Sequence, residues 1–146
     1  MRLSTKGRYA VMAMTDLAAH GHKAGARGAV TLADIAARQQ ISLPYLEQLF
    51  ARLRKEGLVE SVRGPGGGYR LAKGADATSV AAIVNAVDEP IKAVRCSGEE
   101  RQGCLKSGER CATHALWDDL DRHIEGFLAS VSLADVVSGR VGREAA

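Results

Sequence analysis

The chain opens with a stretch whose apolar residues recur every three or four positions. Between Ser4 and His20 this spacing places six residues on neighbouring positions of one face: Tyr9, Ala10, Ala13, Met14, Leu17 and Ala18. Such a period predicts an α-helix with one buried side. Asp16 interrupts the apolar positions, so the stretch indicates a helix of a folded protein and not a secretion signal.

Two shorter helices are predicted next, separated by a brief turn. Thr31 stands three residues before Asp34, a capping pattern for a second helix in LADIAARQQ. Ser42 can cap a third helix over about residues 43–56, with Pro44 in its first turn, where a missing N–H costs little. The third helix has one apolar inner face, formed by Leu46, Leu49, Phe50 and Leu53.

A pair of short helices joined by so brief a turn is typical of a helix-turn-helix, whose second helix is shaped to enter the major groove of DNA. The outward positions of that helix offer side chains that can contact base edges or phosphates: Tyr45, Glu47, Gln48, Arg52 and Lys55. Amphipathic helix pairs with solvated polar faces also occur in helical proteins that bind no DNA. The helix pair alone therefore does not establish DNA binding, and other parts of the chain must support that interpretation.

A glycine-rich stretch between two arginines, SVRGPGGGYRL at residues 61–71, predicts a β-hairpin with a long tip, because LVESVR and YRLA alternate on either side. After a helix-turn-helix such a hairpin is a wing, and its glycines would let the backbone approach DNA. Arg63 and Arg70 would then face the negative potential of a narrow minor groove. A nucleotide-binding loop is an alternative, but the Walker lysine and the following helix are missing. A second alternative is a flexible hairpin end that has no role in DNA binding.

The remaining residues predict three more helices. Thr78 or Ser79 can cap a short apolar helix that Pro90 stops. A long helix from Thr113 carries a narrow apolar seam, and a short terminal helix follows in SLADVVSGR. The seam consists of Leu116, Leu120, Ile124, Phe127 and Val131. We expect it to pack against a second copy of the chain, with packing inside the chain as the alternative.

All three cysteines lie in a polar segment ahead of the long helix, in the pattern C-x7-C-x6-C-x2-H. An odd cysteine count fits reduced thiols or metal ligands better than a secreted disulfide framework. Three thiolates and one imidazole make a complete set of four ligands for zinc or for an iron–sulfur cluster. From the residues alone both centres stay open, and so do free redox thiols. The candidate ligands are Cys96, Cys104, Cys111 and His114.

Composition and charge support this organisation. The 146 residues are 46% hydrophobic, and no apolar run approaches the ~20 residues needed to cross a bilayer. Residues 1–75 carry 12 Lys and Arg against 5 Asp and Glu, a net charge of +7, whereas residues 76–146 carry 8 against 12, a net of −4. A basic half is expected of a nucleic-acid-binding module joined to something else, although solvated helix faces would give similar counts.

The fold class that follows is mainly α with a small β-hairpin. We expect a winged helix-turn-helix DNA-binding region over residues 1–75, and a cysteine-bearing loop with a long dimerisation helix over residues 76–146. A cytoplasmic protein without a membrane segment is expected. An enzyme is not expected, because Cys111 and His114 lack an orienting group and an oxyanion site in the sequence pattern.

Several segments also resemble those of the IscR-type iron–sulfur cluster regulators of bacteria, over nearly the whole chain. They are MRLSTKGRYAVMAM, ISLPYLEQLFARLRKEGLVESVRGPGGGYRL, AVDEP and THALWDDL. The cysteine loop is slightly longer than in familiar members, and Pro44 replaces a small hydroxyl residue.

This resemblance implies a homodimeric transcription regulator that binds double-stranded operator DNA and controls genes for cluster assembly. It implies a [2Fe–2S] cluster held by the three cysteines and His114. It also implies that Glu47 helps to distinguish two classes of operator according to cluster state. The residues it places at the DNA are Ser42, Tyr45, Glu47, Gln48 and Arg63. A zinc-stabilised or thiol-redox DNA-binding regulator without a cluster is the alternative.

Overall fold

The computed structural model describes residues 4–21, 28–87, 105 and 107–141. Within these ranges the elements in chain order are α1 (Thr5–Gly21), α2 (Leu32–Gln39), α3 (Leu43–Lys55), β1 (Val59–Val62), β2 (Gly68–Leu71), a 3-10 turn (Ala75–Ala77), α4 (Val80–Val87), α5 (His114–Ser130) and α6 (Leu133–Ser138). The mainly helical fold with one hairpin is confirmed. No helix in these ranges is both long enough and apolar enough to cross a membrane.

Helix α1 buries the face that its sequence period predicts. Five of the six predicted apolar positions are buried, and Tyr9 is half-buried. The side chain of Ser4 caps the helix by accepting the Gly7 N–H at 3.1 Å. Because α1 contacts α2, α3, α4, α6 and β2, it forms the centre of the fold.

The helix-turn-helix forms where the capping residues predict it. The Thr31 hydroxyl accepts the Asp34 N–H at 3.1 Å to begin α2, and the Ser42 hydroxyl accepts the Tyr45 N–H at 3.3 Å to begin α3. Between them Gln40 adopts a left-handed conformation, with φ at 55°. A non-glycine residue rarely adopts this conformation, and here it turns the chain directly from one helix into the next.

The wing is a two-stranded antiparallel hairpin in which Glu60 pairs with Arg70 and Val62 with Gly68. Val30 extends it on one side, exchanging both backbone hydrogen bonds with Tyr69 at 2.8 Å. The sequence analysis did not predict this contact of Val30. Through it, the wing is tied to the segment that leads into the helix-turn-helix.

The C-terminal elements complete the same core. Ser79 caps α4 by accepting the Ala82 N–H at 3.1 Å, whereas Thr78, the other predicted cap, is buried and donates to a backbone carbonyl. Pro90, predicted to stop this helix, lies outside the described residues. Helix α6 begins with a reciprocal capping box between Ser132 and Asp135. Hydrogen bonds to the Ser132 backbone and side chain hold the pKa of Asp135 below its usual value.

One hydrophobic core runs through both sequence halves. Ile83 and Val87 of α4 and Leu133 of α6 are fully buried in the cluster that α1, α2 and α3 also form. The predicted boundary at residue 75 therefore does not separate two cores. Val131 is buried as well, against Val80 and Val84. The prediction that Val131 belongs to the outward seam of α5 is wrong, because Val131 packs against α4 inside the chain.

Candidate nucleic-acid interface and cysteine site

The recognition helix α3 presents two different faces. Its four inner residues are at most 2% exposed, so the helix is fixed by packing over its whole length. Glu47 and Gln48, from the predicted set, are exposed on the other side, and Ser42 is exposed at its start. This fixed helix with carboxylate and amide groups facing solvent can form hydrogen bonds to base edges.

Tyr45 is less available than its outward position in the sequence pattern indicates. It is half-buried and packs edge to face on Tyr9 of α1, with ring centroids 5.9 Å apart and planes at 85°. Such an aromatic pair stabilises the contact between two helices by roughly 0.5–1.5 kcal/mol beyond its buried area. Tyr45 therefore helps to hold the N-terminal turn of α3 against α1.

Arg52 also has an intramolecular partner. Its guanidinium Nη1 donates a hydrogen bond of 2.9 Å to the carbonyl oxygen of Val87. Val87 is the last residue of α4, where backbone carbonyls lack partners within the helix. Arg52 thus joins the recognition helix to the end of α4, and residues 88–110, which carry Cys96 and Cys104, follow Val87 directly in the sequence.

A buried carboxylate fixes α2 against α1, and the sequence pattern missed its role. Asp16 is 3% exposed and accepts three hydrogen bonds from Arg38, at 2.7, 3.0 and 3.3 Å, and one from Gln39 at 2.8 Å. Burial raises the pKa of Asp16, but these bonds and the charges of Arg38 and His20 outweigh it, so the pKa lies below its usual value. The sequence signal was a single acid on an otherwise apolar helix face.

The wing glycines are required by the hairpin itself. A Cβ at Gly67 would lie 2.4 Å from the Val62 carbonyl oxygen, and one at Gly68 would lie 2.3 Å from that of Val30. Gly64 and Gly66 have φ values of 95° and 73°, which side chains disfavour. The tip therefore needs its glycines in order to fold, whether or not DNA approaches it.

The two wing arginines lie at different places on the hairpin. Arg70 lies on β2 opposite Glu60, and its Nη2 is 3.0 Å from the Glu60 carboxylate, with both side chains 51% exposed. The positive charge of Arg70 is thus partly compensated within the hairpin. Arg63 is exposed and directly follows β1, where the chain enters the tip of the hairpin.

Half of the predicted ligand set lies in the described part of the chain. Cys111 is a half-buried free thiol with its sulfur 3.4 Å from the Thr113 hydroxyl, and its carbonyl accepts the His114 N–H at 3.1 Å. His114 is the first residue of α5, and Cys111 lies three residues before it. Cys96 and Cys104 lie outside the described residues. In the described ranges no three or more His, Cys, Asp or Glu side chains are arranged to hold a metal ion.

Helix α5 exposes its seam. The structure describes all 17 of its residues and none is buried. Leu116 and Phe127 are 59% and 53% exposed, while Leu120 and Ile124 are half-buried. An apolar stripe of this length on one small chain is more than scattered surface residues provide, so it is a candidate contact surface.

Comparison with known proteins gives consistent matches along almost the whole chain. The Rrf2 family, described as "Iron-dependent Transcriptional regulator", matches residues 3–139. The HTH-type transcriptional regulator IscR of Erwinia tasmaniensis is 58% identical over 140 residues, which cover 96% of this chain and 81% of that protein. The regulator of the same name from Serratia proteamaculans is 56% identical with the same coverage.

Solved structures of regulators have the same fold. T. potens IscR superposes with a TM-score of 0.75 at 40% identity, covering 96% of this chain and 88% of that one. CymR, the global cysteine regulator of B. subtilis, superposes with a TM-score of 0.78 at 33% identity, covering 95% and 98%. The winged-helix arrangement predicted from the sequence is thereby confirmed.

Proposed function

The chain belongs to the Rrf2 family of iron-dependent transcriptional regulators, and we propose that it reports iron–sulfur cluster supply to genes for cluster assembly. In this proposal a homodimer binds double-stranded operator DNA in the cytoplasm, and a [2Fe–2S] cluster held by Cys96, Cys104, Cys111 and His114 sets which operators it binds. The observation that carries the cluster assignment is the pair of donors, Cys111 and His114, at the start of α5.

The donor chemistry fits such a cluster. The thiol of Cys111 is free and half-buried, and the imidazole three residues on can take the place of a cysteine at an iron. Cys96 and Cys104 would complete four ligands. When bound, the cluster supplies an iron-dependent, redox-active group. Zinc could use the same donors, so the two must be separated by experiment.

The DNA-reading surface is formed by α3 and the wing. Glu47 and Gln48 project from the exposed face of α3 and have the groups that pair with cytosine N4 and with adenine N6 and N7. Arg63 at the wing is the proposed minor-groove contact, and Arg70 contributes less because it also faces Glu60. Ser42 and Tyr45 set the start of α3, since the Ser42 hydroxyl holds the Tyr45 N–H.

Dimerisation would use α5. Its apolar positions recur at steps of four, four and three from Leu116 to Phe127, the spacing with which two helices pack side by side. A second copy is the occupant that a symmetric seam of this kind fits. Two copies would hold two recognition helices at a fixed separation, as a pair of operator half-sites requires.

Arg52 provides a physical connection between the proposed DNA-binding helix and the segment that would bind the cluster. Its bond to the Val87 carbonyl ties the recognition helix to the end of α4, next in sequence to the cysteine-bearing segment. Arg52 is one of the proposed DNA-binding residues. Its main role, however, would be to transmit a displacement of α4 to α3 through this hydrogen bond. A substitution of Arg52 by alanine should therefore reduce the dependence of operator affinity on the cysteines.

The cluster assignment is tested by the visible absorption spectrum and metal content of anaerobically purified protein. Cluster absorption with two iron atoms per chain, lost in Cys111→Ala, supports the proposal. A colourless protein with one zinc per chain would contradict it and favour a zinc-stabilised regulator. A colourless protein without metal would favour a thiol-redox regulator.

Glu47 is tested by operator affinity in four proteins: the parent, Glu47→Ala, a Cys96/Cys104/Cys111→Ala triple variant, and the combination. A carboxylate accepts a hydrogen bond from cytosine but costs free energy where that donor is missing. We expect the triple variant to lose one operator class and the combination to regain it. Glu56→Ala, which removes an exposed carboxylate at the other end of α3, is the matched control and should restore nothing. If the combination binds no better than the triple variant, Glu47 does not couple cluster state to operator choice.

A further inference from the structure

The recognition helix α3 carries one large apolar residue, Leu43, that is not part of the hydrophobic core. The four inner residues of α3 are at most 2% exposed, whereas Leu43, the first residue of the helix, is 38% exposed. Pro44, the next residue, is exposed too. The leading end of α3 is therefore apolar on its outer surface, while the exposed positions one turn later, Glu47 and Gln48, are polar.

The backbone at this end of α3 offers few donors to an anion. Pro44 has no N–H, the Tyr45 N–H is held by the Ser42 hydroxyl, and the Leu46 N–H is held by the Ser42 carbonyl at 3.1 Å. The N-terminus of a helix commonly binds a phosphate through such free N–H groups. Here most of them are absent or already bonded, so what this end presents to a partner is mainly the Leu43 and Pro44 side chains.

The position of these side chains indicates what they contact. In a helix-turn-helix the N-terminal residues of the recognition helix are those that reach base edges in the major groove. Among the groups displayed there, only the C5-methyl of thymine is apolar. A leucine placed against the N4 amino group of cytosine or the O6 of guanine would instead deprive a polar group of its hydrogen bond.

We propose that Leu43, with Pro44 beside it, contacts a thymine methyl and so makes thymine preferred at one base pair in each operator half-site. This role rests on the proposed DNA-reading function of α3 and adds a specificity-determining residue to it. The preference is separate from that of Glu47, since one depends on apolar contact and the other on a hydrogen bond.

The test removes single methyl groups from the DNA. An operator is first selected from a random duplex pool with the parent protein, and each thymine in a half-site is then replaced by uracil, which lacks only the methyl. We expect one replacement to weaken binding by the parent about fourfold, the effect of one buried methyl-sized group. The same replacement should have no effect on Leu43→Ala, while Leu43→Met, which keeps an apolar side chain, should stay sensitive to it.

Two controls separate this inference from other effects. Met12→Ala removes another exposed apolar side chain, 36% exposed on α1, and should keep the full uracil effect. Leu43→Ala should keep the helical circular dichroism of the parent, because the side chain it removes is outside the core. If no thymine shows the effect in the parent, or if Leu43→Ala shows it undiminished, the contact is overturned while sequence-specific binding stands. If the pool yields no operator at all, the proposed function fails together with it.

Discussion

Two amphipathic helices of this chain, α3 and α5, use their apolar faces in opposite ways. Over 13 residues α3 buries four large side chains against α1 and its neighbours, whereas α5, with 17 residues, buries none. A fully buried leucine or phenylalanine contributes about 1.5–3 kcal/mol relative to an exposed one. The face of α3 therefore stabilises the monomer, and the face of α5 is left for a contact that a single chain cannot make.

An apolar stripe on a helix therefore does not reveal which surface it packs against. Both stripes have helical spacing, but α3 packs against α1, α2, α4 and β1, while α5 packs mainly against α4. Half-buried Leu128 and buried Val131 provide that contact. The seam residues Leu116 and Phe127 point elsewhere and stay exposed.

The largest expected difference between the two helices is in the free energy of unfolding. Leu46→Ala should cost about 2–5 kcal/mol, because Leu46 is fully buried and its truncation leaves a cavity. Leu116→Ala should cost less than about 0.5 kcal/mol, since its side chain is already in water. Both are measured by urea denaturation in the Phe127→Asp background, so that association between copies does not contribute. Equal costs would show that the α5 seam packs inside the chain after all.

The next effect is on association. Phe127→Asp should weaken dimerisation at least a hundredfold, or about 3 kcal/mol, because a closed seam would bury two unpaired carboxylates. Ala129→Asp, two residues along the same helix and 200° away around it, places the charge on another exposed face and serves as the control. Sedimentation velocity over a range of concentrations distinguishes monomer from dimer. A parent that stays monomeric throughout contradicts the proposed seam.

The smallest effect is expected in operator affinity, from substitutions of the two wing arginines. Arg63→Ala should lower operator affinity by about 1–3 kcal/mol if the guanidinium reads a base edge, and the dependence on salt should become shallower if it contacts phosphate. Arg70→Ala should cost less, because Arg70 shares its charge with Glu60. Fluorescence anisotropy at several salt concentrations gives both quantities. Equal losses from the two variants would show that the Glu60 pair does not decide which arginine reads DNA.

The features that could be predicted from the sequence are those that depend on residues close together in the chain. The caps at Thr31 and Ser42 bond to N–H groups three residues on, and the inner face of α3 follows from a period of three and four. The hairpin, too, could be predicted, since its two strands flank a glycine-rich tip. These features are local, so a few neighbouring side chains fix them.

Contacts between residues far apart in the chain could not be predicted in this way and became visible in the folded molecule. Arg38 reaches Asp16 across 22 positions, and Arg52 reaches the Val87 carbonyl across 35. The same is true of Val131, which turns inward although its spacing continues the seam. Spacing along a helix defines which residues share a face, but the partner of that face depends on how helices far apart in sequence pack. Burial and charge pairing depend on the three-dimensional neighbours of a side chain, and a local sequence pattern does not contain those neighbours.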